Sequence, residues 1–127
     1  MARRRRGRDL DGVLLLDKPK GLSSNQTLSR ARWLFQASKA GHTGTLDPMA
    51  TGLLPVCFGE ATKFSSYALE ADKRYVARVQ LGTTTDTGDA EGQMLQTRPF
   101  TGITEADVLA AIAQFHGEIE QTPPMYS

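Results

Sequence analysis

Sulfur and imidazole chemistry are scarce in this chain of 127 residues, which holds one cysteine and two histidines. The lone Cys57 excludes an internal disulfide framework and a multi-cysteine metal site, and its neighbours Val56 and Phe58 mark it as a buried structural thiol. No apolar run approaches the ~20 residues that span a bilayer. The opening Met-Ala-Arg-Arg-Arg-Arg-Gly-Arg is not followed by the apolar stretch and cleavage site of a secretory signal, so a cytoplasmic protein with no membrane association is expected. Cations are nearly missing from one end. Residues 79–127 carry only Arg98 against seven Asp and Glu, whereas residues 1–78 carry 14 of the 15 Lys and Arg against the other seven acids. The formal net charge of +1 therefore conceals a basic half suited to a polyanionic partner, because phosphate contacts supply sequence-independent affinity through counterion release.

Residues 1–10 read as a basic flexible tail and residues 11–127 as the folded part. Gly12 to Leu16 predicts a short buried strand closed by the turn Asp17-Lys18-Pro19-Lys20-Gly21. A helix capped by Ser24 or Asn25 follows, with Leu28, Ala31, Leu34 and Phe35 at helical spacing and Arg30 and Arg32 elsewhere around the axis, facing RNA or solvent. Gly52 to Phe58 reads as an apolar strand. Glu60 to Leu69 predicts a second helix with Ala61, Phe64, Tyr67 and Ala68 inward. Lys73 to Leu81 alternates as a half-buried strand with Tyr75 on its inner face, and Gln93 to Thr97 returns as the second arm of a long hairpin across the polar stretch 83–92. A last helix starts at the cap Thr104, bears Val108, Leu109, Ile112 and Phe115 as its stripe, and ends at His116 and Gly117. The fold class is mixed α/β with a partly antiparallel sheet and flanking helices.

One acid stands in a frame of glycines, threonines and prolines: Gly41-His42-Thr43-Gly44-Thr45-Leu46-Asp47-Pro48-Met49-Ala50-Thr51-Gly52-Leu53-Leu54-Pro55-Val56. Pro48 biases Asp47 toward extended backbone, and the glycines permit turns. Local chemistry alone reads Asp47 either as a turn former or as a carboxylate carried on a loop into a buried strand. The sixteen-residue run resembles the active-site motif of the TruB family of tRNA pseudouridine synthases. The resemblance extends to residues 12–24, to Lys73-Arg74-Tyr75 and to residues 85–92, and it covers essentially the whole chain.

The resemblance implies a catalytic domain of the pseudouridine synthase type, incomplete in this chain. It implies isomerisation of the uridine at position 55 in the T arm of tRNA, with Asp47 catalytic and no cofactor, metal or obligatory protein partner. Its histidine, here His42, contacts the refolded RNA and helps hold the flipped nucleotide; Tyr75 stacks on the base, and its hydroxyl is placed to assist proton transfer. Asp89 resembles an aspartate near the catalytic network, equally explained as a turn former. Lys18 reads as scaffold for the loop or as a phosphate contact, and Thr43 and Thr45 as residues that fix the loop through side-chain to backbone hydrogen bonds. The family's arginine partner for the aspartate, further strands and a C-terminal RNA-binding domain lie beyond residue 127, so the chain by itself is expected to be inactive. The alternative class is a noncatalytic RNA-binding or RNA-folding module.

Overall fold

The structure is a computed structural model that describes residues 6–124. Residues 1–5 of the expected tail, and 125–127, lie outside the described residues. Two compact units divide the chain, residues 1–74 and residues 75–127.

The first unit is built on a three-stranded antiparallel sheet of order β1-β3-β2, from β1 (Gly12–Lys18), β2 (Ala40–His42) and β3 (Gly52–Phe58). β3 is central because its sequence is apolar throughout: Leu54, Val56, Cys57 and Phe58 are all buried. Helix α1 (Ser24–Phe35) joins β1 to β2 and covers one face of the sheet. Ala31 of α1 and Ala37 after it pack on Val56 and Phe58, with Leu10, Leu14, Leu16 and Leu28 around them. The Phe35 and Phe58 rings lie 5.3 Å apart, tilted by 46°.

Several sequence expectations change here. β1 runs on to Lys18 and is only half buried, since Val13 and Leu15 point away from the core while Leu14 and Leu16 face it. The cap of α1 is Ser23, not Ser24 or Asn25: its hydroxyl accepts from the Gln26 N–H (3.1 Å), and the Gln26 side chain accepts from the Ser23 N–H (2.9 Å). Leu34 of the expected stripe is exposed. Arg32 is tied to the carbonyls of Ala37 (3.2 Å) and Ser38 (2.9 Å). Residues 8–10 are not a loose tail, because the Arg8 guanidinium donates to the Phe35 carbonyl at the end of α1 (2.7 Å) and the Ser38 N–H donates to the Arg8 carbonyl (2.9 Å). Strand β2 was not anticipated, since three residues carry no periodicity.

The expected second helix is a 3-10 turn (Gly59–Phe64) followed by the short α2 (Ser65–Leu69). Phe64 and Tyr67 lie exposed on it, their rings 6.3 Å apart, instead of facing inward. Lys63 pairs with Glu60 one turn earlier, which raises the lysine's pKa.

In the second unit, the long hairpin shortens to β4 (Thr83–Thr85) against β5 (Met94–Thr97), with a bulge between Thr84 and Thr85. Lys73 to Leu81 forms no strand: alternation supplies two faces, but a ladder needs a partner, and β5 pairs with the threonines. Helix α3 (Glu105–Ala113) has Thr104 as its cap, as its sequence predicts, but ends before His116, which lies beyond its last turn. Leu109, Ile112 and Phe115 of its stripe are exposed.

Candidate active site

Asp47 sits on the loop of residues 43–51 that joins β2 to β3, at the edge of the sheet where β1 and β2 end and β3 begins. Its flanks are held from beneath. On the N-terminal side the Ser24 hydroxyl donates to the Leu46 carbonyl (3.1 Å) and accepts from the Leu46 N–H (2.8 Å). On the C-terminal side the Pro48 carbonyl accepts from the Gly21 N–H (2.7 Å) and from Lys18 Nζ (3.3 Å). The Asp47 carbonyl accepts from the Ala50 N–H (2.9 Å), closing a turn. Gly44 enters the loop at φ +97°, a left-handed conformation open to glycine. The Asp47 side chain is exposed, and among the described residues its carboxylate has no hydrogen-bond or ion-pair partner. A fixed backbone therefore presents an uncommitted carboxylate.

Lys18 departs from its phosphate-contact reading. It is fully buried, and its ammonium donates to the carbonyls of Pro19 (2.8 Å), Leu22 (2.7 Å) and Pro48, three acceptors for three N–H bonds. Thr43 and Thr45 also differ from expectation. Thr43 is buried through its N–H to the Pro55 carbonyl (3.1 Å), Thr45 is exposed, and neither side chain makes a hydrogen bond among the described residues.

His42 closes β2 opposite Val56, and its Nε2 lies 3.1 Å from Asn25 Oδ1 in the first turn of α1. With Nε2–H donating to that oxygen, Nδ1 is left as an acceptor, buried and without a partner among the described residues. The residues that sequence reasoning missed are thus Ser24 and Asn25. Their signal was the run Ser23-Ser24-Asn25: a helix needs one cap, and three cap formers in a row leave two for other work.

Tyr75 and Asp89 belong to the second unit. Tyr75 is two-thirds exposed on a segment outside any helix or strand, not on the inner face of a strand. Asp89 is a turn residue, its Oδ1 accepting from the Thr87 hydroxyl (2.7 Å) and the Glu91 N–H (2.9 Å), bonds that lower its pKa in that order. Burial pushes the Cys57 thiol up, in keeping with a structural cysteine. Among the described residues no cluster of His, Cys, Asp and Glu is placed to hold a metal ion, and no helix is long and apolar enough to cross a membrane.

A family model described as TruB family pseudouridylate synthase, N-terminal domain, matches residues 32–127. The chain belongs to the TruB family. Its relatives include tRNA pseudouridine synthase B of Chromohalobacter salexigens, 65% identical over 127 residues, which are 100% of this chain and 41% of that protein. The enzyme of the same name from Burkholderia mallei is 68% identical over 120 residues, 94% of this chain and 39% of that protein. The chain thus spans about two fifths of the length of the curated relatives it matches. Among solved structures, an H/ACA RNP bound to a substrate RNA containing 2′-deoxyuridine gives a TM-score of 0.60 at 30% identity, covering 87% of this chain and 29% of that one. A Cbf5-Nop10-Gar1 complex gives 0.60 at 28% identity, covering 91% and 30%. The mixed helix and antiparallel sheet architecture is shared with these structures, in agreement with the fold class read from sequence.

Proposed function

We propose that Asp47 is the catalytic carboxylate for conversion of uridine to pseudouridine at position 55 in the T arm of a cytoplasmic tRNA. The observation that carries this reading is the exposed carboxylate, without a side-chain partner among the described residues, on a loop whose backbone is hydrogen-bonded on both flanks. A turn-forming aspartate would spend its oxygens on nearby N–H groups, as Asp89 does.

The reaction breaks the C1′–N1 bond, turns the detached uracil, forms C1′–C5, releases the C5 proton and leaves N1 protonated, so that the product is an isomer of the substrate. A carboxylate serves it in one of three ways: attack on C1′, attack on the base, or removal of the C2′ proton. Water has to be excluded while the base is free, since hydrolysis at C1′ would leave an abasic site. The target base is flipped at a cost of about a few kcal/mol. His42, one strand-end from the loop, supports a role in holding the refolded RNA, and Tyr75, exposed with its ring accessible, a role in base stacking. Asp89 is assigned to the shape of its hairpin loop.

The test measures pseudouridine formation on a T-arm stem-loop, and binding to it, for this chain and for the chain extended to the relatives' length. Asp47→Asn is expected to abolish product while RNA affinity stays within about threefold, because the change keeps the shape and removes one charge. Product formed by Asp47→Asn would reject the assignment. Binding without product in every unmutated form would favour the noncatalytic RNA-binding module.

A further inference from the structure

We infer that Ser24 is a positioning residue for Asp47, an inference that rests on Asp47 being the catalytic carboxylate. Ser24 is 1% exposed, and a buried hydroxyl is retained only where it is satisfied. Both of its bonds go to one residue, Leu46, whose N–H and C=O it engages at 2.8 and 3.1 Å. Leu46 is 22 positions away in sequence and directly precedes Asp47. The hydroxyl thereby stands in for a β-ladder partner at the one loop residue that sets the direction from which the Asp47 Cα–Cβ bond emerges.

Helix capping does not account for Ser24. Ser23 performs it, with Gln26 completing the box, and the Thr27 hydroxyl donates to the Ser23 carbonyl (2.9 Å). The neighbour on the other side, Asn25, reaches His42 (3.1 Å). Three consecutive residues thus have three separate duties: one starts the helix, one holds the loop before Asp47, and one holds the histidine that closes β2. The helix is the rigid body that fixes the loop.

Loss of the Ser24 hydroxyl frees one flank only. Pro48 keeps its bonds to Gly21 and Lys18, and the Asp47 to Ala50 turn remains, so the loop stays folded while the carboxylate gains freedom. A displacement of about 1 Å at a reacting group costs up to about 100-fold in rate. The loss belongs to kcat, because RNA affinity rests on phosphate and base contacts elsewhere.

The experiment compares Ser24→Ala, Ser24→Thr and Ser24→Val. Thr and Val have the same shape and differ by the hydroxyl, so the pair separates the hydrogen bonds from packing even where the alanine variant unfolds. In the chain itself, amide exchange at Leu46 is expected to accelerate by about tenfold or more in Ala and Val and to stay near the unmutated rate in Thr, as loss of about 1.4 kcal/mol or more of protection requires. In the chain extended to the relatives' length, Ala and Val are expected to lower kcat by about 10- to 100-fold with KM for T-arm RNA within about twofold, and Thr to stay within about threefold. Equal Leu46 exchange in Thr and Val would overturn the clamp. Faster Leu46 exchange with unchanged kcat, or a rise in KM alone, would overturn its role in positioning. Failure of the underlying reading shows separately, as product formed by Asp47→Asn.

Discussion

Among the described residues, Lys18 is the largest side chain that is wholly buried, and none of its hydrogen bonds goes to a carboxylate. A buried ammonium is tolerated only when its N–H bonds are met, and here three carbonyls meet them. Removing the donor strands acceptors: the Pro19 and Leu22 carbonyls lose a charged partner, while Pro48 keeps the Gly21 N–H. Lys18→Met, which keeps the stem and deletes the charge, is expected to lower stability by about 1–3 kcal/mol in urea unfolding. Unchanged stability would mean that the carbonyls are satisfied by water and that Lys18 does not hold the loop. The resemblance suggested a scaffold role for Lys18, but its burial was not legible in the turn Asp17-Lys18-Pro19-Lys20-Gly21, because one acceptor lies 30 positions away. Asp47 and His42 could be named because the resemblance singles out their positions, whereas local chemistry left Asp47 open to a turn reading. Ser24 could not, because a serine at a helix start already has a sufficient local explanation in capping.

At the scale of elements, some features that depend on neighbours in sequence were readable, though the Ser23 cap of α1 was not, and those that depend on distant partners were not. Thr104 shows the first kind: its hydroxyl accepts from the Asp107 N–H (3.2 Å), and the Asp107 carboxylate accepts from the Thr104 N–H (2.9 Å). The segment Lys73 to Leu81 shows the second, having the alternation of a strand but no ladder partner among the described residues. The α3 box also has a pH signature. Bonds from the Thr104 backbone, then from its side chain, hold the Asp107 carboxyl below its ordinary value of 3.8. A depressed carboxyl contributes to stability above the unfolded value and loses that contribution as pH falls through the folded one. The Thr104 N–H to Asp107 carboxylate bond is therefore expected to hold at full strength down to about pH 3.8 and to weaken as pH falls through the lower folded value, whereas the Asp107 N–H to Thr104 hydroxyl bond does not depend on that proton. An NMR titration should give Asp107 a midpoint under 3.8, with the Thr104 amide shift following the same curve. A midpoint at or above 3.8 would show that the box is not formed in solution.

For the whole molecule, the division into two units coincides with the division of charge. Residues 1–74 hold 13 Lys and Arg against seven Asp and Glu, and residues 75–127 hold two against seven. The unit that carries Asp47 is thus the cationic one, and the attraction of a polyanion is not spread over the chain. Much of that excess is concentrated in Arg3, Arg4, Arg5 and Arg6, and without the first eight residues the remaining chain sums to −4. Electrostatic attraction then depends on those arginines, whereas the loop geometry around Asp47 depends on Ser24, Gly21 and Lys18. The two should separate in a salt titration. Each phosphate neutralised contributes about −0.7 to −0.9 to the slope of log affinity against log salt, so replacing all four arginines by alanine should flatten the slope for T-arm RNA by up to about 3.6 units. Leu46 amide exchange should be the same in that variant as in the unmutated chain, because no bond of the clamp involves the run. An unchanged slope would show that the arginine run does not touch phosphate, and the basic character of the first unit would then have to act through Lys20, Arg30, Lys39 and Arg74.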